Sequence, residues 1–251
     1  MSDPIILYDI PGRDANFKAW SPNTWNARYA LNFKGLTYKT EWVEFPNIEA
    51  TAKKIGATPT AKKPDGTDYY TLPIIYDPST KTFVSDSLPI AQYLDKTYPN
   101  LPLLFPPNTS ALTAPFTTAV ASNVSRSFFA IVVLNTWKVL NDESRDYFRR
   151  TREVLFGKKL EEVAPLGNAV DQWKAAEKGF DTLNTWLSTA GGSNFFAGDQ
   201  IGYADIVVAS HLIWARIVLG KDSNEWKTIT EWNDGRWAKY LKSFENYETV
   251  V

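Results

Sequence analysis

Apolar and polar residues follow one pattern up to about residue 100 and another after it. In the first stretch, short β-branched and aliphatic runs predict strands: Pro4-Ile5-Ile6-Leu7-Tyr8, Tyr38 to Phe45, Leu72 to Tyr76 and Thr82-Phe83-Val84. Helix signals stand between them. Ser21-Pro22 reads as an N-cap serine followed by proline at the first helical position, where its missing N–H is harmless, and Gly35 closes that helix. A short helix is predicted over 48–55, a Pro-, Gly-, Lys- and Thr-rich loop over 56–68, and a hairpin turn at Asp77-Pro78-Ser79. Ser85-Asp86-Ser87 then stands before Leu88, Ile90, Ala91 and Leu94 as the cap of a third helix. The resulting order β-α-β-α-β-β-α predicts a small mixed sheet covered by helices.

Residues 101–110, with Pro102, Pro106 and Pro107, read as a linker. Everything beyond is helical, with helices predicted over 111–140, 142–163, 168–189, 204–219, 223–231 and 235–244, and breaks at 163–167 and 190–193. Gly202 as N-cap, Asp205 at N3 and an Ile201–Ile206 staple form a capping box, read as a folding element. Arg149, Arg150, Arg152, Lys158 and Lys159 cluster, but Glu153, Glu161 and Glu162 answer them. With Arg149–Glu153 and Lys158–Glu162 as i,i+4 pairs, the cluster reads as a solvated helix face. The expected organisation is a sheet domain over 1–100, a linker over 101–110 and an all-helical domain over 111–251.

Composition narrows the chemistry. A net charge of −1 implies no general affinity for nucleic acid. No apolar leader follows Met-Ser-Asp-Pro, and the longest apolar run, Phe128 to Leu134, is far short of the roughly 20 residues that span a bilayer. A soluble, cytoplasmic protein is expected, in which the sequons at Asn108 and Asn123 carry no weight. Cysteine is absent, which removes disulfides, thiolate metal sites and cysteine nucleophiles. The single histidine, His211, lies in an apolar helix and reads as a packing residue, so metal clusters and Ser-His-Asp chemistry are not expected. Catalysis must use hydroxyls, carboxylates, backbone amides or a group brought by the ligand.

Pro73 is awkward in a strand because it cannot donate to a sheet ladder, and in a tight bend it is a candidate for a cis bond. An open strand edge beside a helix N-terminus bearing Asp86 and two hydroxyls could hold a small peptide by backbone pairing and charge. The alternative is an ordinary hairpin followed by a capped helix.

These parts together resemble the cytosolic glutathione transferases over nearly the full length. The resemblance rests on Ser21-Pro22, Thr71-Leu72-Pro73, Asp86-Ser87 and the segment Gly198 to Asp205. Ser-Pro-x-Thr-Trp-x-x-Arg at 21–28, Val43-Glu44-Phe45-Pro46 and the charged stretch from Tyr147-Phe148-Arg149 to Phe156-Gly157 look like the bacterial β-etherases. They look still more like the fungal-specific class A transferases. Gly202 departs from the usual Ser or Thr at the capping-box N-cap, a change worth a few tenths of a kcal/mol.

The resemblance implies an α/β thioredoxin-like domain followed by an α-helical bundle, with Pro73 as a cis proline. It implies that glutathione supplies the reactive sulfur, that no metal is needed, and that Ser21 donates a hydrogen bond to the thiolate, with Thr24 as alternative or auxiliary donor. Leu72 would pair its backbone with the cysteinyl part of glutathione, while Asp86 and Ser87 would hold the γ-glutamyl group. The ligand of the glycine carboxylate stays open among Lys39, Lys53, Lys54, Lys62 and Lys63. A serine favours conjugation of electrophiles, peroxide reduction or thiolytic ether cleavage over thiol-reductase chemistry. The electrophile site is expected between the domains, lined by the loop from Asp9 to Trp20 and the first long helix. Ten tryptophans could stack flat polyphenols, although Trp173, Trp186 and Trp214 stand at core-packing positions. The resemblance also implies a homodimer, and an alternative role as a ligandin that sequesters aromatic compounds with little turnover.

Overall fold

The structure, a computed structural model, describes residues 3–251 except Asn16, Asn108, Leu166, Gly167, Ala190 and Gly192. Parts of the predicted linker and of both predicted helix breaks therefore lie outside the described residues. The first half carries β1 (Ile5–Asp9), α1 (Pro22–Lys34), β2 (Tyr38–Trp42), α2 (Ile48–Ile55), β3 (Ala61–Lys62) and β4 (Asp68–Tyr69). It continues with β5 (Ile74–Asp77), β6 (Thr82–Ser85) and α3 (Ser87–Thr97). The main sheet has the order β2-β1-β5-β6, with β1 and β2 parallel and the other neighbours antiparallel. This is the expected βαβ unit plus hairpin. One reading is corrected: the predicted loop over 56–68 contains β3, which pairs antiparallel with β4 through Ala61↔Tyr69 and Lys62↔Asp68.

Helix α1 begins and ends as its sequence dictates. Ser21 is an extended N-cap, Pro22 takes the first position, and Gly35 closes the helix at φ +67°, a left-handed conformation that glycine adopts without steric cost. What sets α1 on the sheet is a buried ion pair. Arg28 Nη2 donates to Asp9 Oδ2 at 2.7 Å, with neither side chain exposed. Arg28 Nη1 adds bonds of 3.2 Å to Tyr38 Oη and Thr40 Oγ1 on β2, so one guanidinium joins α1, β1 and β2. At the other end of α1, buried Lys34 reaches Asp95 of α3 at 2.8 Å and the Pro102 carbonyl at 3.0 Å.

The second half is helical: α4 (Ser110–Val120), α5 (Arg126–Val139), α6 (Asp142–Phe156), α7 (Leu160–Val163), α8 (Val170–Thr189), α9 (Tyr203–Leu219) and α10 (Asn224–Lys242), the last broken by non-helical backbone at Trp232, Asn233, Asp234 and Gly235, where two helices are expected. Three expectations change. The helix predicted over 111–140 contains a π-helical turn at Ala121–Ser125. Gly179 of α8 lies against that turn, where a Cβ would sit 2.7 Å from the Asn123 carbonyl oxygen. The helix predicted over 142–163 breaks at Gly157, which is left-handed at φ +67°. The expected Lys158–Glu162 pair does not form, because Glu162 instead accepts from the Lys159 backbone N–H to cap α7. Finally, the span Ala111–Val139 is long and apolar enough, by length and composition, to cross a membrane. Val124, Phe128, Val132 and Val133 of that span are buried in the protein's own core.

Of the contacts that join the halves, two sets lie beside the cavity or behind α1. Trp25 and Tyr29 of α1 stack toward Phe244, with Tyr29 and Phe244 ring centres 5.3 Å apart. Glu44, after β2, binds the start of α6: Asn141 Nδ2 donates to its Oε1 at 2.6 Å and the Ser144 hydroxyl donates to its Oε2. Ser144 Oγ in turn accepts from Phe45 N at 2.9 Å. At α9 the capping box forms as expected. Asp205 accepts from Gly202 N at 2.9 Å, from Phe196 N at 2.8 Å and from Tyr240 Oη at 2.6 Å.

Removing one partner of the Asp9–Arg28 pair leaves the other charged and buried, so Arg28→Met is expected to lower unfolding free energy by about 3–5 kcal/mol in denaturant titration. A loss under about 1 kcal/mol would show that the pair does not anchor α1. Asp205 yields a pH signature. Burial raises its carboxyl from 3.8 to about 6, so the folded state keeps a proton that the unfolded chain has already released. Its contribution to stability is full below about pH 4 and is lost as pH rises to about 6. Denaturation of the parent and Asp205→Asn across that window should show the parent losing ground steadily; a pH-independent difference would contradict the burial penalty.

Candidate active site

A cavity of about 580 Å³ lies between the halves, a volume typical of small-molecule sites. Ser21, Leu72, Asp86 and Ser87 all line it, although they come from three separate segments. Ser21 is nearly buried at the N-terminus of α1, and its hydroxyl makes no hydrogen bond with a described residue. The Leu72–Pro73 peptide is cis. Shortly before β5, the Leu72 backbone likewise has no hydrogen bond among the described residues, which leaves its N–H and C=O unpaired at the cavity wall. Asp86 caps α3, with Oδ1 accepting from Ser87 N at 2.6 Å. It does so at φ +77°, a region non-glycine residues rarely occupy and one that is tolerated where surrounding contacts over-determine it.

Two of the expected residues stand back from the cavity. Pro73 sits behind Leu72 and is absent from the wall. Thr24 is fully buried, and its hydroxyl donates to the Ser21 carbonyl at 3.0 Å, away from the cavity. Thr24 also faces Asp9, whose carboxyl is pushed up by burial and pulled back by Arg28 and then Thr24.

The wall also takes residues to which the sequence gives no site role. Asn26 lies one turn beyond Pro22 on the same helix face, and its Nδ2 reaches Ser87 Oγ at 3.5 Å. Tyr203, the first residue of α9, closes the same end; burial pushes its phenol well up, against a hydrogen-bonding contribution from Ser87. The far wall is aromatic. Trp20 comes from the expected loop and Phe129 from the expected long helix, but Phe45, Tyr147, Phe148 and Trp214 also contribute. Phe45 stacks on Tyr147 at 5.8 Å, held there by the Glu44 contacts to α6. Of the five candidate lysines only Lys63 reaches the wall, and it is ion-paired to Glu49 at 2.9 Å.

Models of the glutathione S-transferase N-terminal and C-terminal domains match residues 20–97 and 111–247. The chain belongs to the glutathione S-transferase family. It is 49% identical to a glutathione S-transferase of Ceriporiopsis subvermispora, CsGST63524, solved in complex with glutathione, with 99% of each chain covered and a TM-score of 0.95. It is 47% identical to glutathione transferase GSTFuA3 from Phanerochaete chrysosporium, with both chains fully covered and a TM-score of 0.95. It is also 30% identical to the glutathione S-transferase-like protein ustS of Aspergillus flavus, covering 92% of this chain and 86% of that protein. The expected fold, a thioredoxin-like domain followed by a helical one, is therefore that of the transferases. The expected fungal class A character agrees with these neighbours.

In this transferase the lone histidine is not only a packing residue. His211 lies on the cavity wall, with Nδ1 2.8 Å from the Val207 carbonyl and Nε2 2.8 Å from Ser125 Oγ. A carbonyl only accepts, so Nδ1 carries the proton and Nε2 accepts from the serine hydroxyl. Burial lowers the imidazole below its usual 6.5. Because the chain has one histidine, a single set of imidazole NMR signals reports this directly. The ring is expected to stay neutral at pH 6.5 and to protonate only below it; a titration midpoint at or above 6.5 would contradict the buried Nδ1–H tautomer.

Proposed function

We propose that the chain is a serine-type glutathione transferase, in which Ser21 favours the thiolate of bound glutathione for attack on aromatic electrophiles, hydroperoxides or aryl ethers. The observation that carries this reading is the unpaired Ser21 hydroxyl at the positive end of α1, on the same cavity as the unpaired Leu72 backbone and the Asp86–Ser87 cap. Glutathione's three polar features fit these residues. The Leu72 N–H and C=O match the main chain of its cysteinyl residue in an antiparallel sense. The Asp86 carboxylate suits the γ-glutamyl ammonium, and Ser87 suits the carboxylate. Among the first amides of α3, that of Ser87 is taken by Asp86 and Pro89 has none, which leaves Leu88 N–H to add to the anion site.

A thiol is mostly protonated at neutral pH, and each unit of pKa lowering needs about 1.4 kcal/mol of differential stabilisation. One hydroxyl hydrogen bond to a charged sulfur is worth about 1.5–3 kcal/mol, and the helix dipole adds about 0.3–1 kcal/mol. Together these suffice for one to two units. Thr24 takes no part in sulfur binding in this reading: its hydroxyl bond to the Ser21 carbonyl secures the helix end that presents Ser21. Residues 1–100 would then bind glutathione, and residues 111–251 would supply most of the wall against the second substrate.

A ligandin role is favoured by one specific feature. Trp20, Phe45, Phe129, Tyr147 and Trp214 give the far wall an aromatic surface suited to flat polyphenols. It shares the glutathione site, so the two readings differ in turnover and not in architecture.

Thiolate absorbance of bound glutathione followed against pH separates the possibilities. Ser21→Ala is expected to raise the bound thiol's pKa by about one unit over the parent. Equal titration in both proteins would remove Ser21 as the donor. Absence of glutathione binding in the parent would remove the transferase reading.

A further inference from the structure

Arg152 stands apart from the charge cluster in which its sequence places it. Arg149 binds Glu153 at 2.9 Å and Glu161 at 2.7 Å, and Lys159 binds Glu153 at 3.0 Å, so those charges are answered on the outer face of α6. Arg152 lies four residues after Phe148, on the inner face, and lines the cavity. Its guanidinium sits 4.8 Å from the centre of the Phe148 ring and 5.6 Å from that of Phe45. Nη1 donates to Thr151 Oγ1 at 2.9 Å, and no described residue accepts from Nε or Nη2. No Asp or Glu forms an ion pair with it among the described residues.

A half-buried cation without an anion is unusual, because a desolvated charge is costly unless paired. Two rings restrain the guanidinium by cation–π contact, while its Nε and Nη2 donors stay unused among the described residues. The other cation on the wall, Lys63, already holds Glu49 at 2.9 Å. Burial lowers the basicity of Arg152, yet an arginine stays charged at any physiological pH. The cavity therefore presents a fixed, unanswered positive charge at its α6 wall, whereas the carboxylates on the wall are, among the described residues, Glu49, paired with two lysines, and Asp86 at the α3 cap.

We propose that Arg152 is a carboxylate-binding residue of this cavity, holding either the glycine carboxylate of glutathione or an acid group on the aromatic second substrate. The proposal rests on the glutathione-transferase reading for the identity of the ligands, but not for the chemistry of the wall. It supplies a ligand for the carboxylate that none of the five lysines serves from the wall without already having a partner. The helical half would then read an end of the bound molecule directly, and Phe45, fixed by Glu44 and Ser144, would position the guanidinium.

Binding of two matched pairs of probes tests this: glutathione against its glycine ethyl ester, and 4-hydroxybenzoate against methyl 4-hydroxybenzoate. Affinities are measured for the parent, Arg152→Met, which keeps the apolar stem, and Arg152→Lys, with thermal denaturation confirming that each variant folds. The parent should prefer at least one acid over its ester by about tenfold, and Arg152→Met should abolish that preference while leaving the ester's affinity unchanged. Arg152→Lys should restore part of it. Loss confined to the glutathione pair assigns the glycine carboxylate; loss confined to the benzoate pair assigns the second substrate. A parent that does not distinguish acid from ester in either pair, or an Arg152→Met protein that keeps the parent's preferences, overturns the proposal. If the parent binds neither glutathione nor its ester, the transferase reading fails, and the benzoate pair still decides the role of Arg152.

Discussion

Asp9 and Arg28 meet at 2.7 Å with neither side chain exposed, and the placement of α1 depends on that contact. A buried ion pair need not add net stability, since desolvating both charges offsets most of their attraction. What it adds is geometry. A guanidinium bonded to β1 and, through Tyr38 and Thr40, to β2 admits one rotation of α1 over the sheet. Thr24, between the pair and the helix end, carries that constraint to the Ser21 carbonyl. The serine hydroxyl is left on the cavity wall without a partner among the described residues.

The same logic recurs where the halves meet and again within the helical half. Glu44 holds the first turn of α6 through Asn141 and Ser144, and so sets Phe45 against Tyr147 and Phe148. Asp205 holds the turn before α9 and receives the Tyr240 hydroxyl from α10. Each is a carboxylate satisfying backbone or side-chain donors across a junction, and each places a cavity wall. The wall itself is divided. Hydroxyls, an amide and helix ends gather around Ser21, Asp86 and Ser87, while rings and Arg152 gather around α6. A polar tripeptide and an aromatic partner would find separate ends of one space.

Much of this was legible in the chain. Ser21-Pro22 with Gly35 bounded α1, the alternating runs placed the strands, Asp86 was the α3 cap, and Gly202 with Asp205 opened α9. These are local matters, decided by side chains within about four residues of one another. The breaks in the long helices were less legible. Gly157 was visible as a residue but not as a terminator, and the π-turn at 121–125 depends on how closely Gly179 of another helix lets the backbone approach.

By itself, then, the sequence determined most of the elements, their order, the absence of a protein thiol and the candidates for glutathione's sulfur, backbone and γ-glutamyl group. Only the tertiary structure decided which of those residues share a surface. It turned Thr24 inward, left Lys39, Lys53, Lys54 and Lys62 off the wall, and brought His211 and Arg152 onto it. The physical reason is that charge and hydrogen-bonding capacity are read from residue type, but whether they are already spent depends on partners distant in the chain. Arg149 and Arg152 look alike in the sequence. In the fold one has two glutamates and the other has rings, one hydroxyl and no carboxylate among the described residues.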